Sequence, residues 1–156
     1  MTGWQDQWAR IERWTERVRA VQQGQADYFL GTEHYRDEVF ALFEGLWHLK
    51  DWLHNDPAVR VSKEDVDGWV FSETSPVLSL KAAKDVANGS KHLRLANPAV
   101  DAAQTRNDAT FGGDNKHVFY IELARTGQEY DALTLAEMCT QDWRRFLALH
   151  NITAPS

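Results

Sequence analysis

Cysteine is almost missing from this chain: Cys139 is the one thiol among 156 residues. No internal disulfide can form. That excludes a disulfide-stapled secreted scaffold and fits a reducing, cytoplasmic setting. Basic residues are short too. Seventeen Lys and Arg face 23 Asp and Glu, for a formal net charge of −6. An extended phosphate-binding surface needs clustered Lys and Arg, so no DNA partner is expected, although a small basic pocket is still compatible. No apolar run reaches the ~18 residues that a membrane span requires. The start, Met1-Thr2-Gly3-Trp4-Gln5-Asp6, has no basic region and no apolar stretch, which predicts no secretory leader. A Gly-rich phosphate loop, a Cys-x-x-Cys pair and a Gly-x-Ser-x-Gly elbow are all absent, and no repeat or low-complexity segment is found.

Aromatic residues are plentiful instead, with seven Trp and seven Phe. A buried aromatic ring removes about 150–250 Å² from water, so a few large rings are expected to dominate stability. The length fits one domain over residues 1–156.

Periodicity predicts mostly helix. Trp4, Trp8, Ile11, Thr15 and Val18 form one stripe in a helix over 4–30, which Gly24 either interrupts or ends. The strongest pattern covers 33–54, where Tyr35, Val39, Leu42, Leu46, Leu49 and Leu53 repeat at four and three. Phe40, Phe43, Trp47 and Trp52 widen that stripe. A helix so apolar around its circumference is the centre of a bundle or a subunit interface. Asn55-Asp56-Pro57 stops it. Ser62-Lys63-Glu64-Asp65 reads as a capping box for a short helix. Ser75-Pro76 starts the next helix, with Ser79, Ala83, Val86, Ala87 and Ser90 on its small-residue inner face.

A change of composition follows Pro98. Residues of about 96–116 show no period and predict a long loop. A β-hairpin is expected over about 117–133, turning at Thr126-Gly127. Thr134-Leu135-Ala136-Glu137 reads as a second capping box with Leu133 and Met138 as staple. It opens a C-terminal helix over about 135–150 with Leu135, Cys139, Trp143, Phe146 and Leu147 inward. The expected fold is mainly α: an up-and-down bundle of four to five helices with one β-hairpin inserted before the C-terminal helix.

Two polar segments interrupt the apolar faces. On the central helix, Glu44, His48 and Asp51 share a face with Asp37. A Glu and a His at i,i+4 with an Asp three further on make a candidate mononuclear metal set, although di-metal bundles use Glu-x-x-His on several helices. The plain alternative is a polar exposed face, and no cofactor is expected. On the following helix, Lys81, Asp85, Asn88 and His92 share a face flanked by Lys84 and Lys91. If these two helices meet edge to edge, Asn88 and His92 lie opposite His48 and Asp51. A carboxylate then orients a neutral imidazole, and Lys91 or Lys50 stabilises developing negative charge. The same arrangement serves equally as an inter-helix clamp without a substrate. Cys139, on an inward face, is expected to be structural.

The runs Leu46-Trp47-His48-Leu49-Lys50-Asp51-Trp52, Ala87-Asn88-Gly89-Ser90-Lys91-His92 and Tyr130-Asp131-Ala132-Leu133 followed by Trp143 resemble a group of small bacterial proteins of uncharacterised activity. More distantly, the helical half is similar to the HEPN superfamily, all-helical dimeric domains that include RNA-cleaving toxins and phage-defence proteins. That resemblance implies a metal-independent ribonuclease acting on RNA, with His92 as general acid/base and Asn88, Lys91, His48 and Asp51 around it. The superfamily signature is Arg, four to six residues, then His, and Arg144 and Arg145 precede His150 at that distance. The chain departs from the pattern where Phe146 replaces a polar residue and Asn88 stands in place of Arg. The breadth of the apolar surface on 33–54 points the other way, to a protein that acts by association, as a homodimer or with a protein partner.

Overall fold

The structure, a computed structural model, describes residues 3–25, 32–71, 79–89, 104–109, 117–123 and 127–156. Five helices and three strands follow in the order α1 (Trp4–Gln22), α2 (Thr32–Asn55), α3 (Lys63–Phe71), α4 (Ser79–Gly89), β1 (Gln104–Ala109), β2 (His117–Leu123), β3 (Gln128–Asp131) and α5 (Ala132–Leu149) among the described residues. The mainly α architecture with a hairpin before the last helix is the one the sequence predicts.

The central helix is α2. Its stripe of Tyr35, Val39, Leu42, Leu46, Leu49 and Leu53 is fully buried. Contacts with α1, α3, α4, α5 and β2 cover it on several sides. Its apolar breadth is thus consumed inside the fold. Gly45 lets α1 come close: the Gln7 Nε2 amide donates to the Gly45 carbonyl at 3.0 Å, and a Cβ at Gly45 would stand 3.3 Å from Ile11 Cγ1. On the α5 side, the buried Trp143 indole donates to the Leu46 carbonyl at 2.9 Å.

Helix ends follow local chemistry. α1 stops at Gln22, well short of residue 30, because Gly24 at φ +70 closes it. Gln25 N–H donates to Ala20 O and Gly24 N–H to Val21 O, the paired bonds that a left-handed residue after a helix makes possible. Asn151, at φ 57, ends α5 in the same way, with Ile152 N–H on Leu147 O. The box at Ser62 forms as expected, since Ser62 Oγ accepts from Asp65 N–H and Asp65 Oδ2 accepts from Ser62 N–H, both at 3.0 Å. The second box does not cap α5. Asp131 takes that role, accepting from Thr134 N–H at 3.0 Å, so the helix begins at Ala132. The Ser75-Pro76 start and Ser90 lie outside the described residues.

The stretch expected to be one long loop contains a strand. β1 pairs antiparallel with β2, from Gln104 opposite Glu122 to Ala109 opposite His117. β2 pairs with β3 from Tyr120 opposite Asp131 to Leu123 opposite Gln128. The edge of β2 would otherwise present unpaired N–H and C=O groups, and β1 satisfies them despite a sequence poor in strand formers. Phe119, Ile121 and Leu123 alternate inward along β2.

α1 has no side-chain cap of its own at Gly3. Asp56, 52 residues away, supplies one: its Oδ2 accepts from Trp4 N–H at 3.0 Å, and its Oδ1 accepts from Ala58 N–H at 2.9 Å. A Cβ at Gly3 would stand 2.6 Å from that Oδ2. Gly3→Ala therefore displaces the cap and is expected to cost about 1 kcal/mol, read as a lower urea midpoint. An unchanged midpoint would show that α1 does not depend on Asp56.

Candidate functional site

Of the five residues singled out in the sequence, the structure describes three. Lys91 and His92 lie outside the described residues, so the pairing of His92 with His48 does too. Asn88 is half-buried near the end of α4, and Asp85, one turn earlier, is buried and not on a wet face. Glu44, His48 and Asp51 lie roughly opposite the Leu42–Leu53 stripe at about 100° per residue. They do not form a metal set: among the described residues, no group of three His, Cys, Asp or Glu side chains is placed to hold an ion.

Asp51 has a different setting from the expected one. Its Oδ1 accepts from Lys50 Nζ at 2.6 Å and lies 3.5 Å from His54 Nε2. Lys50 in turn sits over the Trp47 ring, 5.0 Å from the centroid. Asp51 lines a surface cleft of about 360 Å³ between the end of α2 and the start of α1. Trp4, Trp52, Asn55 and Asp56 complete the polar and aromatic walls. Asp56 is pinned by the Trp4 and Ala58 amides as described. Asn55 Nδ2 donates to the Asp51 carbonyl at 2.8 Å. The Arg10 guanidinium lies 5.6 Å from the Trp52 centroid.

Sequence reasoning placed Asp51 among the candidates but missed Trp4 and Asp56. An Asp before Pro signals a local turn, and nothing in that signal says it also caps a helix across the fold.

Two further polar groupings are structural. Ser79 Oγ donates to Asp142 Oδ2, joining α4 to α5, and within α5 Arg145 Nη1 donates to Asp142 Oδ1 at 3.2 Å. Burial pushes the Asp142 carboxyl above its ordinary range, and the Ser79 bond and Arg145 charge only partly oppose this. Cys139 Sγ donates to the Ser79 carbonyl at 3.2 Å, and burial pushes this thiol far up. It is a structural thiol, not a nucleophile. At the other end of the bundle, burial and then the negative charges of Asp131 and Glu38 raise the Tyr35 phenol, against a partial lowering by the Phe119 backbone. Tyr35 therefore stays protonated. Burial would also raise Asp131, but the Thr134 hydroxyl and amide and the Gln22 amide outweigh it and hold that carboxylate low.

The Arg and His of the HEPN-type spacing have partners of other kinds. Arg144 lies over the Trp8 ring at 5.0 Å and donates to the Pro155 carbonyl at 3.4 Å. Arg145 serves Asp142, and His150 packs on Phe146 with ring centroids 4.4 Å apart. Separations of five and six residues place neither arginine on the face of His150. No family model, no curated protein and no solved structure matches this chain.

Proposed function

We propose that this protein acts by association in the cytoplasm, first with a second copy of itself, through the surface around Phe71. The observation that supports this reading is the ring itself. Phe71 is 45% exposed at the end of α3, while nearly every other large apolar side chain described is covered. It is not loose: it meets Trp47 edge to face at 6.0 Å, and Lys84 Nζ lies 5.5 Å from its centroid. A ring already fixed by packing loses little freedom on docking, and aromatic anchors of that kind carry much of the energy of an interface. Two-fold pairing presents the same patch from both copies. Among the described residues no helix is long and apolar enough to cross a membrane.

Light scattering at tens of micromolar is expected to give twice the chain mass of 17.9 kDa. Phe71→Glu is expected to return the single-chain mass with unchanged helix content. A single-chain mass for the unaltered protein sinks the homodimer.

A further inference from the structure

Self-association around Phe71 is the reading this step rests on. We propose that the two copies meet through α3, running antiparallel, with each Phe71 ring seated in the notch that Gly68 leaves on the other copy. Glu64, Gly68 and Phe71 stand at i, i+4 and i+7, so they share one side of α3. All three are exposed, and the buried Val66 and Val70 lie on the opposite side. Phe71 is thus a knob, and Gly68, one turn earlier on the same side, is a hole.

Nothing inside the fold calls for glycine at position 68. Its φ is not positive, a Cβ there would meet nothing within 4 Å, and Gly is a poor residue for a helix interior. Gly45 is the contrast, since α1 presses on it and a Cβ there would crowd Ile11. Bare backbone on the outer side of a helix lets a second helix come close and insert a large side chain. A two-fold axis at right angles to α3, passing between residues 68 and 71, makes that knob-in-hole contact twice from one surface.

Charge selects the antiparallel arrangement. The first turns of α3 carry Glu64, Asp65 and Asp67 against one Lys63. At the other end Lys84 stands over the Phe71 ring and meets no carboxylate among the described residues. A parallel pair would set the two acidic starts side by side. The antiparallel pair brings each Lys84 toward the acidic start of the other α3, and opposed charges of this kind fix the orientation of an interface.

Sedimentation equilibrium of the full chain at low salt reads the dissociation constant of the unaltered protein and of its variants. Gly68→Gln favours helix and fills the notch. It is expected to weaken self-association about tenfold or more, as overfilling a packed gap does, while the far-ultraviolet spectrum stays unchanged. Glu64→Lys and Lys84→Glu are each expected to weaken it about tenfold through like-charge contact, and the two reversals combined in one chain are expected to restore most of the loss. If Phe71→Glu abolishes self-association but Gly68→Gln does not weaken it, the contact around Phe71 stands and this register falls. The register falls in the same way if the combined reversal associates no better than the single ones. A single-chain mass for the unaltered protein removes the contact itself, and the register with it.

Discussion

Trp143→Ala is expected to leave the chain barely folded at room temperature. The residue is fully buried, stacks edge to face on Phe146 at 5.7 Å and donates to the Leu46 carbonyl at 2.9 Å. Truncating a buried Trp costs about 3–5 kcal/mol through lost transfer energy and the cavity left behind. A lost hydrogen bond adds about 0.5–1.5 kcal/mol. A domain with about 5–15 kcal/mol in total cannot absorb that sum comfortably. The Leu46 carbonyl belongs to the middle of α2, so this one side chain fixes the last helix against the central one. Trp143→Phe separates the two contributions. It keeps most of the ring packing, loses the N–H, and is expected to fall between the Ala variant and the unaltered chain. Leu149→Ala is the control, because Leu149 is 67% exposed and surface changes stay within about 0.5 kcal/mol. Urea unfolding followed by far-ultraviolet circular dichroism reads all three. A Trp143→Ala cost below about 1 kcal/mol would falsify this docking of α5 on α2, since no fully buried Trp is so cheap to remove.

Residues such as Leu42, Leu46, Leu49 and Leu53 were legible because burial on a covered helix repeats with the helix's own period. The inward residues of α5 were legible for the same reason. β1 was not. Its sequence, Gln104-Thr105-Arg106-Asn107-Asp108-Ala109, carries Asn, Asp and Ala, which strands disfavour. The edge of β2 makes it a strand, and an edge is a tertiary fact. The start of α5 was misplaced by competition between two local patterns. Thr134 and Glu137 have capping-box spacing, yet the last residue of the hairpin reaches the Thr134 amide first. A cap is chosen by where the preceding chain arrives, and here β3 delivers Asp131. The candidate site divides in the same way. Asp51 sits in a polar interruption of an apolar helix, which is visible in sequence. Trp4 is brought beside it only when Asp56 caps α1 across the fold.

Asp142 makes stability fall as pH rises, against the usual trend for a carboxylate. Burial raises its folded pKa above the unfolded value, and Ser79 and Arg145 do not cancel that. The folded state therefore keeps the proton longer. Below the ordinary Asp value of about 3.9 both states are protonated, and the contribution is complete. As pH climbs, the unfolded chain ionises first, and stability drains until the folded carboxyl also ionises. A tenfold difference in proton affinity between the folded and unfolded chain corresponds to about 1.4 kcal/mol. Asp131 runs the other way: its folded value is lowered, so its contribution is present above the unfolded value and is lost as pH falls through the folded one. A comparison with Asp142→Asn isolates the first group, because both chains carry Asp131. The Asn side chain cannot ionise and still accepts from Ser79 or Arg145. Its stability relative to the unaltered chain is expected to improve steadily as unfolding is measured at pH 4, 5.5 and 7. Ser79→Ala removes one of the two groups that favour the ionised form and is expected to steepen the fall. A stability of Asp142→Asn relative to the unaltered chain that stays constant or falls over that range means that the Asp142 carboxylate is comfortable where it lies. The carboxylate would then be held mainly by its charged bridge to Arg145 within α5, and the Ser79 bond from α4 would carry little of its setting.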